Sequence, residues 1–438
     1  MAASWGVPAS IAGQELRRIR LIGGVERTME RVVLDNGLTA ITELRPHTQT
    51  VSIHVGVRAG PPQEEDRYLG ISHFLEHMLF KGTTKSTAEE LSAVVEGNGG
   101  VLNGFTEHEF TEFFVTMLSK NWESGFDVLA EMITQPALDP ECIDRERSVV
   151  LEEIQQAKDD AETCVWDRFH MRVWKDYAVS KPVLGKTETV ENISRAALEE
   201  HYHRFYVPEN MCLVVVGNVN EEPLWERIKS LNLNGKLTPF VNRRPYADMP
   251  EALDYRRDCH QANIVMGVDI TPLSIHHSDR FPMALYNVIL GGNASSRLFL
   301  EIREKRGLAY SIASDVGLLD RNGFFAVSAA MHPSKMEQVT TIINEEIARS
   351  LTTSPDAADV ERAKNFILGI LANNLESNHS SGRRSLICGL FGEDPSVQHF
   401  ITQLENVTPE EIRACAERYV DPAKLVTAAI VPANDSGD

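Results

Sequence analysis

Gly70-Ile-Ser-His-Phe-Leu-Glu-His-Met-Leu-Phe80 is the stretch on which the reading of this chain turns. It sets His73, Glu76 and His77 at i, i+3 and i+4, and on an α-helix that spacing brings three side chains onto one face. Two imidazoles one turn apart can grip a single metal ion while the carboxylate beside them reaches the water it holds. A lone histidine on an apolar helix face is ordinarily a satisfied core residue. Two histidines flanking a glutamate, within the apolar run Phe74, Leu75, Met78, Leu79 and Phe80, demand partners or a metal, because titratable groups are rarely buried alone.

A catalytic zinc typically takes three protein ligands and keeps a fourth position for water, so one ligand must come from elsewhere. The best source is Asp144-Arg-Glu-Arg-Ser-Val-Val-Leu-Glu-Glu-Ile-Gln-Gln156, which reads as an amphipathic helix with Val149, Val150 and Ile154 as its apolar stripe. Glu146 and Glu153 stand two turns apart along nearly one face, whereas Glu152 points about 100° away from Glu153. Taken alone, this segment is a solvated acidic helix face.

Together, His73-Phe-Leu-Glu-His77 and Arg145-Glu-Arg-Ser-Val-Val-Leu-Glu-Glu-Ile154 resemble the pitrilysin-type, or inverzincin, zinc metallopeptidases. The likeness is greatest to the short-chain branch that contains the mitochondrial processing peptidase and its bacterial homodimeric relatives. It implies one Zn2+ per chain, held by His73, His77 and Glu153, with Glu76 as general base. Glu146 corresponds to a second glutamate that supports the site from the outer shell, where carboxylates orient metal ligands.

Between the motifs, Leu102-Asn-Gly-Phe-Thr-Glu-His-Glu-Phe-Thr-Glu-Phe-Phe-Val-Thr116 matches the family's pattern of Asn, small residue, aromatic and Thr followed by Glu-x-Thr. In the family this strand offers a free edge to extended substrate. Thr and Phe favour strands, and an open edge recruits peptide through main-chain hydrogen bonds. Asn103, Gly104 and Phe105 are the residues expected against substrate; an ordinary core hairpin is the alternative on propensity alone.

The chain also repeats itself. Phe113 to Leu129 resembles Phe324 to Thr340 at an offset of about 211 residues, each a β-rich run entering an amphipathic helix. Similar shifts lay Met283, Tyr286 and Asn287 on His73, Glu76 and His77, and Leu368 on Glu153, so the second copy keeps the elements and loses the chemistry. The expected fold is α+β: two similar domains of mixed or antiparallel sheet packed with helices, forming one half of a clamshell. Domain boundaries are expected at 25–232 and 251–433, joined by a Pro-punctuated linker over 233–250. In the second domain, Ser295 to Ser311 resembles the family's Arg and Tyr pair, mapping onto Arg303 and Tyr310. A guanidinium and a phenol are donors suited to a developing oxyanion, although Arg303 among Glu301, Glu304, Lys305 and Arg306 would otherwise be a surface helix charge.

Composition narrows the classes. A length of 438 residues accommodates two cores. No run of about 18 apolar residues is present, so membrane insertion is not expected. Arg17, Arg18 and Arg20 hint at an organellar signal, but Glu15 and the lack of a Ser/Arg-rich amphipathic stretch favour an untargeted extension. The six cysteines show no C-x-x-C spacing and read as free thiols of a reducing compartment. A net charge of −20 argues against nucleic acid and anionic membranes as partners, and serves solubility first.

The expectation is therefore a cytoplasmic, bacterial-type zinc endopeptidase, hydrolysing unfolded peptides or extended segments inside a dimeric chamber. Zinc motif and Arg/Tyr pair lie in one chain, and Gly291 to Ser296 is too short for the glycine-rich loop of the family's non-catalytic subunit, so a homodimer is preferred. The competing expectations are the catalytic subunit of a heterodimeric processing peptidase and a catalytically silent scaffold of the same fold.

Overall fold

The computed structural model describes residues 15–20, 26–238, 245–248, 250–256 and 259–433, with backbone alone over 15–20 and 26–28. The first half runs β1 (Glu15–Arg20), β2 (Glu26–Val33), β3 (Thr39–Leu44), β4 (Thr50–Val57), α1 (Ile71–Leu79), α2 (Ala88–Gly97), β5 (Val101–Thr106), β6 (Thr111–Leu118), α3 (Trp122–Thr134), α4 (Pro140–Asp159), α5 (Ala161–Val173), α6 (Thr187–Glu191), α7 (Arg195–Phe205), β7 (Met211–Gly217) and α8 (Glu221–Ser230). The second runs β8 (Leu253–Arg256), β9 (Ala262–Asp269), α9 (Arg280–Leu290), β10 (Ala309–Leu318), β11 (Gly323–Met331), α10 (Met336–Thr352), α11 (Ala357–Glu376), α12 (Asn378–Phe391), α13 (Val397–Glu405), α14 (Pro409–Tyr419) and β12 (Val426–Pro432). Of the linker expected at 233–250, residues 239–244 and 249 lie outside the described residues.

The strands form two sheets, ordered β1-β2-β3-β7-β4-β6-β5 and β10-β11-β9-β12-β8. Reading inward from β5 and from β10, the two share one topology: an edge hairpin, a central antiparallel strand, then a parallel pair, β3 with β7 and β8 with β12. The fold is α+β in two similar copies.

Each sheet is covered on both faces, and this is why β7 reads Met-Cys-Leu-Val-Val-Val-Gly without alternation. Leu213 and Val215 enter a core with α1, α3 and α4, whereas Cys212, Val214 and Val216 enter another with Leu375, Leu386 and Leu390. The last two belong to α12, a helix of the second half. Conversely, α5 of the first half lays Cys164, Val165 and Phe169 against Val265, Ala428 and Ile430 of the second sheet. The halves thus exchange a helix. Small residues permit the close approach of α12: a Cβ on Gly382 would lie 2.3 Å from His54 Nε2, and one on Gly389 would lie 2.4 Å from Cys212 Sγ.

Candidate active site and metal centre

Helix α1 begins at Gly70, whose φ of 89° is a left-handed conformation suited to glycine. The fully buried Glu64 anchors this end, accepting the N–H of Gly70 at 2.7 Å and of Ser72 at 3.0 Å. A carboxylate is well placed at a helix N-terminus, while burial raises its pKa to about 7. The helix so fixed packs against α4 and points His73, Glu76 and His77 at it.

The ligand atoms converge. His73 Nε2 and His77 Nε2 are 3.1 Å apart, and Glu153 Oε2 lies 3.4 Å from each. His77 Nδ1 meets Glu146 Oε1 at 2.9 Å, a contact that holds the proton on Nδ1 and leaves the Nε2 lone pair free. Burial, with His77 alongside, lowers the pKa of His73 to about 3, so its imidazole is neutral. The Nε2 atoms of His73 and His77 and one oxygen of Glu153 converge on a single point, an arrangement of donors that a cation reconciles. This N2O donor set suits zinc with an open position, and it is the one such cluster among the described residues. Glu152 is exposed and takes no part.

Glu76 is buried beside the cluster, its Oε2 accepting a hydrogen bond from Thr106 Oγ1 at 2.8 Å. Burial raises its pKa and the Thr106 bond opposes the rise. Asn103, Gly104 and Phe105 join it along an open cleft that also includes Phe80, Glu107 and Val149. They belong to β5, which among the described residues pairs only with β6, so that its other edge is open there. The Asn103 side chain folds back, Oδ1 accepting the Gly104 N–H at 2.9 Å.

Arg303 and Tyr310 come together but do not line this cleft. Arg303 sits on a π-helical turn, Phe299–Glu304, with its guanidinium 5.9 Å from the Tyr310 ring centre, and Tyr310 is 72% exposed on the edge strand β10. Three contributors escaped the sequence reading. Thr106 stood within the quoted strand; Lys81, which binds Glu146 Oε2 at 2.7 Å, follows His77 at i+4; and nothing local marks Glu64.

The chain is similar to known proteins along most of its length. Residues 39–187 match the family model for insulinase (peptidase family M16), and residues 192–367 match that for the M16 peptidase inactive domain. An uncharacterized zinc protease of Mycobacterium leprae is 32% identical over 406 residues, covering 89% of each chain. One from Streptomyces coelicolor is 30% identical, covering 89% of this chain and 86% of that protein. A protease structure from Helicobacter pylori superposes with a TM-score of 0.83 at 22% identity, spanning 92% of this chain and 99% of the other. An M16 inactive-domain structure from Pseudomonas fluorescens gives 0.84 at 17% identity, spanning 93% and 98%.

Proposed function

The chain belongs to the M16 family of zinc metallopeptidases, and from that premise we propose that it is an endopeptidase acting on unfolded peptides or extended segments, with Glu76 as its general base. The observation that carries this reading is the convergence of His73, His77 and Glu153 beside a buried Glu76 and a free strand edge.

Zinc held by His73, His77 and Glu153 would supply a Lewis acid that brings a water toward ionisation near neutral pH. Glu76 takes the proton from the attacking water and passes it to the departing amine, a role that a carboxyl group with a raised pKa serves in both directions. Glu146 keeps His77 in the ligating tautomer. Substrate lies along β5 as an added strand, opposite Asn103, Gly104 and Phe105, so selection acts on the extended state of the peptide.

Arg303 and Tyr310 stand outside the cleft, and their assigned part is to close over the substrate carbonyl from a second-half wall in a homodimeric chamber. The bacterial relatives and the six cysteines, which form no disulfide, fit a bacterial cytoplasmic enzyme; among the described residues no helix is long and apolar enough to cross a membrane.

The test is hydrolysis of a quenched, unstructured peptide by the purified chain, with and without chelator, beside Glu76→Gln. Metal-dependent cleavage lost in the variant supports a self-sufficient peptidase. Bound zinc without cleavage by the chain alone points to a required partner subunit, and no bound metal sinks the catalytic reading.

A further inference from the structure

The two sides of β5 meet different surroundings. Gly104 faces α1, since a Cβ built there would lie 3.1 Å from the Phe80 ring, and Thr106 reaches Glu76 on the same side. Side chains alternate along a strand, so Asn103 and Phe105 face the other way. The neighbours of Phe105 agree: its ring stacks on Phe114 with centroids 5.8 Å apart, and Arg383 of α12 lies over it at 5.6 Å. Phe114 in turn packs on His379 of α12 at 4.3 Å. A row of flat groups, drawn from both halves, therefore lines the side of the edge strand away from the metal.

The charge of Arg383 is already matched. Its terminal nitrogens bind Glu107 and the fully buried Glu112, and the other oxygen of Glu112 holds His54 Nδ1 at 2.7 Å. A guanidinium neutralised on two sides offers a flat stacking surface, not a receptor for acids. Phe105 remains 42% exposed on an edge strand, where a large ring is one half of an unfilled cross-strand pair; aromatic and β-branched residues are the partners such rings favour.

We propose that Phe105, Phe114, His379 and Arg383 form a second side-chain subsite, which takes an aromatic or β-branched residue of an extended peptide on the face of β5 opposite the metal. The subsite rests on the reading that substrate is added along β5, and it makes α12 of the second half a contributor to selection in the first. Arg383 acts as a positioning residue that holds the Phe105 ring and the β5–β6 turn through Glu107.

The experiment uses the zinc-loaded Glu76→Gln chain, so that affinity is read without turnover. A fluorescent, unstructured peptide is scanned with Phe, Val, Ser and Asp at successive positions, and binding is followed by anisotropy. Phe and Val should bind about tenfold more tightly than Ser at positions two residues apart, the scale of discrimination an apolar pocket provides. Phe105→Ala should erase that preference. Arg383→Lys, which keeps a charge for Glu112 but loses the planar stack, should weaken it in a chain that still folds. A profile without two-residue periodicity, or a preference unchanged in Phe105→Ala, overturns the subsite. Failure of the peptidase reading registers separately, as tight binders that the wild-type chain leaves uncut.

Discussion

Glu146 Oε1 lies 2.9 Å from His77 Nδ1, and the same carboxylate spans to Lys81 Nζ at 2.7 Å. The imidazole is thereby held in one tautomer and orientation before any metal arrives. Glu146→Gln should lower zinc affinity by about 10–100-fold while leaving the fold intact. Competition against a chromophoric chelator measures this, and an unaltered affinity would remove Glu146 from the metal's support.

Glu76 should be separable from metal binding. Glu76→Gln is expected to retain zinc and lose about 10²–10⁴-fold in kcat, the range of a positioned proton-transfer group. Thr106→Val removes the hydroxyl that bonds Glu76 Oε2. A loss of about tenfold follows from a charge-assisted hydrogen bond of about 1.5 kcal/mol. The acid limb of the pH profile should also move to higher pH, because that bond opposes the rise in the Glu76 pKa. Thr106→Ser should restore both.

The contact between halves should carry its own pH dependence. Burial raises Glu109 from 4.5 to about 7; the hydrogen bond from the Asp320 backbone N–H opposes the rise, as do Arg58 and His276, while the Asp320 carboxylate adds to it. Between those values the folded chain holds a proton that the unfolded chain has released. This contribution to stability is complete below about pH 4.5 and lost as pH climbs through 7. Glu109→Gln should therefore gain stability relative to wild type between about pH 5 and 7.5, read as a narrowing or reversal of the difference in Tm. Glu64, also raised to about 7, and Asp167, raised to about 6, contribute with the same sign, so the slope is reduced and not abolished.

The helix exchange predicts a single cooperative unit. Proteolytic nicking within 233–250 should leave two fragments that co-elute on a sizing column, held by α12 on the first sheet and α5 on the second. Gly382→Ala should destabilise by about 1–3 kcal/mol, the usual range for overpacking a filled core, because the added Cβ falls on His54. A denaturant midpoint equal to wild type would contradict the tight seating of α12.

What could be read from the sequence follows what is local. His73, Glu76 and His77 share a helix face by spacing alone, and the strand containing Asn103 announces itself by composition. Glu153 is one of two glutamates on a helix face, and the family resemblance singles it out; spacing alone does not, because the choice depends on how α4 packs against α1. Thr106 stood in plain view, yet no local pattern says which alternate residue of β5 faces Glu76. Glu64 is silent for the same reason: a buried cap is defined by the helix it meets. The destination of α12 is the extreme case, since Gly382 and Gly389 advertise a close neighbour without saying that it lies on the sheet of the other half.

That destination orders events during synthesis. When β7 has left the ribosome, the first sheet has its strands and one covered face, while Ile41, Val214 and Val216 on the other await a helix ending at Phe391. At ordinary elongation rates the wait is on the order of tens of seconds. The metal ligands are all made before it begins, yet the Glu107 and Glu112 partner in α12 comes only at its close. A nascent chain can thus hold His73, His77 and Glu153 together early and still lack the α12 partner that braces the β5–β6 hairpin, so the cleft is finished only when both halves have been made.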